Sequence, residues 1–260
     1  MAQSVGVHDM FKWHSAQVQT SARYVRLTVT NSQIKLFEVA VFGEGDELLP
    51  VASCTAPELT DEQAIVPAQM SYMNGMYFDE VYHGRTAYEQ NHNMEWYENT
   101  HPPLGKVFIS WSIQAFGMTP FGWRFAGTLA GVLMVPAMYL LCKLLFRKPL
   151  YATFGAFLFT FDFMHLAQTR LGTIDSYPVL FIILGFYFML RYAYMSFYHD
   201  KLWKTFVPLL LSGLFMGLGM ASKWIGCYAA VGLAVLFFTI FYARCKEYRE
   251  AKADLAVENL

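Results

Sequence analysis

The rhythm of hydrophobic and polar positions changes twice along this chain. Over "ARYVRLTVTNSQIKLFEVAVFG" (22–43) apolar and polar residues alternate. That pattern predicts two strands, 24–30 and 34–42, around a turn at Asn31-Ser32. Two such strands cannot bury a core by themselves. Residues 44–70 are acidic, contain proline and read as a linker. Residues 71–118 mix aromatic and charged positions and end in an apolar stretch, 104–118, shorter than the roughly 20 residues a bilayer requires. Pro102 and Pro103 stand ahead of it, so the stretch predicts a helix lying along a membrane surface. Beyond it, long apolar runs predict five spans, at about 125–146, 149–168, 176–197, 205–222 and 225–243. The expected fold class is mainly α: a polytopic membrane bundle (119–244) with a short N-terminal β segment (1–43) and a polar tail (245–260).

Composition sharpens this picture. Only 15% of the 260 residues are charged, against about a quarter in an ordinary soluble domain, while 55% are hydrophobic. A net charge of −1 offers no basic face, so no nucleic-acid partner is expected. Of the four cysteines, Cys142 and Cys227 fall in apolar runs, while Cys54 and Cys245 stand far from any partner motif. No disulfide framework is expected, and the redox compartment stays open. Residues 1–7 lack a basic start and an apolar core, so no secretory signal is expected there. An extracytoplasmic β segment would then need a span upstream of it.

Charge sets the sidedness. Lys143, Arg147 and Lys148 lie at the first junction between spans, Lys201 and Lys204 in the third loop, and Arg244, Lys246, Arg249 and Lys252 after the last span. The positive-inside rule makes these clusters cytoplasmic. Alternation then brings "NGMYFDEVYHGRTAYE" (74–89), "TRLGTIDS" (169–176) and "SKW" (222–224) to the outer face. The basic residues there are few: Arg85, Lys106, Arg124, Arg170 and Lys223. Asp162 and His165 fall within the second predicted span, with Thr169 on the same helical face. A carboxylate at that depth points to function, because it needs a wet cavity or a partner. The structural alternative pairs Asp162 with His165 or with Arg170. Asp175 closes the same loop. Cations suited to a phosphate and carboxylates suited to proton transfer thus meet at a lipid–water boundary, as an enzyme acting on a lipid phosphate would require. Taken alone, the adjacent pair Asp79-Glu80 is equally what a solvated loop would show.

"FDEVYHGRTAYE", "HPPLGK", "PFGWRFAGTLAGVLMVPAMYLL", "FDFMHLAQTRLGTIDSY" and "GLGMASKWIG" resemble, in order and spacing, the N-terminal half of the protein O-mannosyltransferases over about 77–235. The resemblance implies a GT-C-like helical bundle, a polyprenyl-phosphate-mannose donor and transfer to Ser or Thr hydroxyls of proteins outside the cytoplasm. It implies a bacterial cell membrane or an equivalent endomembrane, and a family longer than this chain at both ends. The family's Asp-Glu pair falls on Asp79 and Glu80, and its Gln-Ser/Thr-Arg…Asp-Ser loop on Gln168, Thr169, Arg170, Asp175 and Ser176. Two departures stand out: Phe163 where Asn is usual, and Thr173-Ile174 where Leu-Leu precedes the loop Asp. The strands at 22–43 are similar to the last strands of a discoidin-type β-sandwich, which implies a remnant, with or without a carbohydrate- or surface-binding role.

A hydroxyl nucleophile needs a base as it attacks the anomeric carbon. Asp79 is the expected base, with Glu80 orienting it or the acceptor, and the sequence leaves open which of the two acts. The departing phosphate needs charge stabilisation, for which Arg170 is first candidate and Lys223 second. Lys223 also fits a boundary lysine reaching headgroups. His101 either helps close the acceptor site or, in "HPP", only sets the angle into the surface helix. One base and a displaced phosphate imply inversion. No cofactor is identified and the need for a divalent metal is open: His83, His92 and His101 lie nine apart and match no ligand spacing. Rival readings are a GT-C transferase for arabinose or another lipid-phosphate sugar, a transporter using Asp162 and Arg170, and a surface-binding membrane protein. No internal repeat of the transporter kind is visible.

Overall fold

The structure, a computed structural model, describes residues 6, 13–30, 36–69, 71, 73–196 and 201–258. The predicted turn at Asn31-Ser32, the start of the second predicted strand, most of residues 1–7 and the last residue of the third predicted span lie outside the described residues. The chain divides into two units, Met1–Tyr77 and Phe78–Leu260.

The first unit carries no strand among its described residues, which corrects the expected β segment. Residues 24–30 and 36–41 run without a ladder, and a single antiparallel bridge joins Phe42 to Leu48. The physical reason is the lack of a packing partner among the described residues: Tyr24, Val25, Leu27 and Val29 are all exposed. Alternation needs a second layer before it produces a sheet. Farther along, the segment is held by local bonds, such as Gly43 N–H to Glu47 O (2.8 Å) and the Gln63 amide to Val39 O (3.0 Å).

The second unit is helical throughout: α1 (Glu80–Asn91), α2 (Leu104–Phe116), α3 (Pro120–Phe146), α4 (Pro149–Thr160), α5 (Phe163–Thr169), α6 (Ser176–Ala193), α7 (Leu202–Ser222) and α8 (Ile225–Glu258). Among the described residues four helices, α3, α6, α7 and α8, are long and apolar enough to cross a membrane, and a fifth span arises if α4 and α5 count as one. That pair bends by 58°. The outer surfaces of these helices display large apolar side chains, for example Leu129, Val132, Leu210 and Val231, as lipid-facing surfaces do. The protein is an integral membrane protein.

Local chemistry explains the helix ends. Thr119 caps α3, accepting from Gly122 N–H at 3.2 Å, with Pro120 at the first helical position. Gly117, at φ 80°, ends α2 in a conformation that side chains disfavour. α8 runs past the apolar span, so the polar tail is helical to Glu258, with a Lys246–Glu250 pair one turn apart. In the bundle α6 packs most broadly on α7 and α3. Gly185 lets α7 approach: the Ser212 hydroxyl donates to Gly185 O at 2.8 Å beside a core of Met189, Tyr192, Met216 and Leu233.

Basic side chains gather at one end of this bundle. Arg147 lies over the Tyr194 ring at 5.1 Å, and the Arg244 guanidinium donates to the carbonyls of Tyr192 and Ala193. The opposite ends of the same helices carry Arg124, the 170–175 loop and Lys223, which are the groups of the site.

Candidate active site

Phe78 adopts a left-handed backbone (φ 55°), which turns the chain sharply into α1 and sets Asp79 at its head. An aspartate there ordinarily accepts a backbone N–H of the first turn. Asp79 does not: its own backbone is already helical, it makes no side-chain cap bond, and its carboxylate has no hydrogen-bond partner among the described residues. Burial raises its carboxyl above the usual carboxylate range. Lys223 and His101 pull it back, while Asp175 and Glu98 push it further up.

Glu80, its neighbour, is wholly committed. It is 0% exposed and receives Arg124 Nε and Nη2 at 2.7 Å each, a bidentate fork from near the start of α3. Gly172 N–H adds a third bond at 2.7 Å. Only glycine serves here, because a Cβ would meet the Trp123 carbonyl oxygen at 2.7 Å. Glu80 thus ties α1, α3 and the loop from Arg170 to Asp175 into one frame.

The far end of that loop carries the second charged pair. Lys223, between α7 and α8, donates to Asp175 Oδ1 at 2.5 Å, and both side chains keep access to solvent. Next to Lys223, Trp224 Nε1 donates to Thr100 O at 2.7 Å, which holds the loop between α1 and α2 over this end of α8. The same loop is pinned from α2: Lys106, 1% exposed, donates to Glu98 Oε2 (2.6 Å), Glu98 O (2.8 Å) and His101 O (3.0 Å). Burial pushes the Glu98 carboxyl up, but bonds from Lys106 and Thr100 outweigh it and hold the group at about 2. Gly105 lets α2 reach the loop before α6, since a Cβ would stand 2.8 Å from Ile174 Cβ.

Of the residues expected from sequence, Asp175 and Lys223 form an ion pair, and their charges and that of His101 act on Asp79, while Glu80 holds the start of α1 to Arg124. Arg170 is exposed at the C-cap of α5, and its side chain forms no hydrogen bond or ion pair among the described residues. Gln168 is exposed too, its amide only near Met164 Sδ at 3.9 Å.

Asp162 and His165 depart from the expectation of one continuous span. Asp162 is the N-cap of α5, accepting His165 N–H at 2.8 Å, so the helix breaks there. A short carboxylate that competes for backbone donors favours such a cap over a helix interior. His165 Nε2 donates to Gly131 O at 3.2 Å, fixing α5 against α3. Neither structural alternative for Asp162 holds as a side-chain pair, because it bonds the His165 backbone and not its ring or Arg170.

Three residues here carry no role in the sequence reading. Arg124 was visible as an outer-face cation, but its link to Glu80 spans 44 positions. Glu98 precedes "HPPLGK" by three residues, and pairing it with Lys106 needed the loop closed. His83 stands four after Asp79, a spacing that places it on the same helical face, and it is buried. Among the described residues no three His, Cys, Asp or Glu side chains converge as metal ligands.

The model of the family "Dolichyl-phosphate-mannose-protein mannosyltransferase" matches residues 64–255. Similar curated proteins include a polyprenol-phosphate-mannose–protein mannosyltransferase of Mycolicibacterium smegmatis, 24% identical over 192 residues, covering 66% of this chain and 37% of that protein. The protein of the same name from Mycobacterium tuberculosis is 25% identical over 195 residues, with 66% and 37% covered. Dolichyl-phosphate-mannose–protein mannosyltransferase 4 of Saccharomyces cerevisiae is 25% identical over 187 residues, with 64% and 24% covered. The chain spans little more than a third of the length of the bacterial relatives it matches. No solved structure matches it significantly. A family match over 64–255, which takes in every helix of the second unit but the last three residues of α8, means that this chain belongs to the dolichyl-phosphate-mannose–protein mannosyltransferase family.

Proposed function

We propose that the chain forms the catalytic end of a membrane glycosyltransferase that moves mannose from a polyprenyl-phosphate-mannose donor to Ser or Thr hydroxyls of a protein acceptor. The donor and the protein acceptor follow the names of its relatives. The observation that carries the residue roles is the contrast between two adjacent carboxylates. Glu80 has its oxygens taken by Arg124 and Gly172, whereas Asp79 is uncommitted beside Lys223, Asp175 and His101.

Asp79 is therefore the base. It takes the hydroxyl proton as the acceptor oxygen attacks the anomeric carbon, and the bond to the phosphate breaks on the opposite side. One displacement inverts that carbon. Lys223, steadied by Asp175, and Arg170, free to swing at the end of α5, neutralise the departing phosphate. Glu80 is not a second base. It positions α1 and the 170–175 loop relative to each other. The basic end of the bundle lies toward the cytoplasm, so the site works on the extracytoplasmic face of a cell membrane or equivalent endomembrane.

The test is transfer of labelled mannose from polyprenyl-phosphate-mannose to a Ser/Thr-rich peptide by the complete protein. Asp79→Asn should lower the rate by about a hundredfold or more with donor binding nearly unchanged. Normal rates in that variant would show the carboxylate to be a solvated group.

A further inference from the structure

His83 is 3% exposed, and neither of its ring nitrogens has a hydrogen-bond partner among the described residues. A buried imidazole ordinarily has at least one. His101 stands edge-on to it, ring centroids 6.4 Å apart, with a buried Nδ1 that is likewise unpartnered. Two neighbouring rings thus carry three unmet ring nitrogens. His83 N–H bonds Asp79 O at 3.1 Å, so Asp79 and His83 are one helical turn apart on one face.

Resting on the function above, we propose that His83 and His101 form a two-imidazole proton relay behind Asp79. In the transfer step the acceptor O–H bond breaks, its proton goes to Asp79, and the electron pair of the sugar–oxygen bond leaves with the phosphate. Asp79 then passes the proton to a ring nitrogen of neutral His83. His101, the half-buried member, takes it from His83 and releases it to the phosphate dianion, whose second pKa of about 6 makes it the final acceptor. A proton has moved from hydroxyl to phosphate, and Asp79 is a base again.

The surroundings suit that traffic. Burial lowers His83 to about 4; the Glu98 and Asp175 carboxylates raise it, and the Lys106 and Lys223 ammonium groups lower it. Burial raises Asp79. Burial thus moves the two proton affinities toward each other, whereas an ordinary imidazole would hold the proton more tightly.

The experiment uses the complete protein with polyprenyl-phosphate-mannose and a Ser/Thr peptide. His83→Gln keeps a donor and an acceptor but carries no charge. It should lower kcat by about a hundredfold, leave both KM values and the melting temperature unchanged, and raise the solvent deuterium isotope effect. His101→Gln, at a half-buried position, should reproduce the effect and carries the test if His83→Gln fails to accumulate. Wild-type kcat and isotope effect in the variants that fold would overturn the relay. If Asp79→Asn is inactive while these variants are normal, the relay alone falls. If Asp79→Asn is active, the transferase mechanism falls with it.

Discussion

The Arg124 guanidinium grips Glu80 with two bonds of 2.7 Å across 44 positions of sequence, and the pair is almost shut from solvent, at 15% and 0% exposure. Breaking a buried pair by removing one partner costs about 3–5 kcal/mol, because the other charge is left stranded. Arg124→Ala should therefore lower the thermal stability of the detergent-solubilised protein by that order, and Arg124→Lys by less. Unchanged melting in Arg124→Ala would mean that the frame does not depend on this pair.

Asp79 should behave in the opposite way. Its folded carboxyl is raised above the usual range, so the folded state binds more protons than the unfolded one just above the ordinary carboxylate pKa. Stability accordingly declines as pH rises through that window. Asp79→Asn, which never ionises, should be at least as stable as the parent at neutral pH and should lose this dependence. A clear fall in its melting temperature at pH 7 contradicts the assignment of Asp79 as an uncommitted base.

Acid should act through two other groups. His83 is held down to about 4 from 6.5, and Glu98 to about 2 from 4.5. In both windows the unfolded chain takes up the proton first, so stability falls as pH drops. Loss due to His83 is expected between about pH 6.5 and 4, and loss due to Glu98 between about 4.5 and 2. His83→Gln should remove only the upper part of the acid unfolding curve, and Glu98→Gln only the lower.

Arg170 separates donor binding from folding. Its side chain has no ion pair among the described residues, so Arg170→Lys should insert and melt normally. An ammonium cannot reproduce two parallel bonds to a phosphate. The variant should lose about 1.5–3 kcal/mol of transition-state stabilisation, seen as a fall of about 10- to 150-fold in kcat/KM. Full activity would leave Lys223 as the phosphate-binding cation.

Sidedness is open to labelling. With Cys54, Cys142, Cys227 and Cys245 replaced, a single cysteine at exposed Glu95 should react with an impermeant reagent in intact cells, while one at exposed Lys201 should not. Reaction at Lys201 would reverse the orientation proposed for the site.

What the sequence determined by itself was mainly local. Apolar runs long enough for a bilayer, basic clusters between them and Pro or Gly at helix ends act over one or a few turns, so α2, α3, α6 and α7 were legible within a few residues. Asp79-Glu80 and the 168–176 loop were legible as charges at a boundary. Tertiary structure decided which of those charges is engaged, because commitment depends on partners far along the chain. Glu80 meets Arg124 and Gly172, Lys223 meets Asp175, and Lys106 closes on Glu98 only once helices pack. It also decided against two local signals. Alternation at 22–43 predicted strands where the described residues offer no second layer to bury them, and the apolar run around Asp162 predicted one continuous helix where a capping carboxylate bends it into α4 and α5. In each case the deciding energy is a contact absent from the segment itself, or a side chain competing for its backbone.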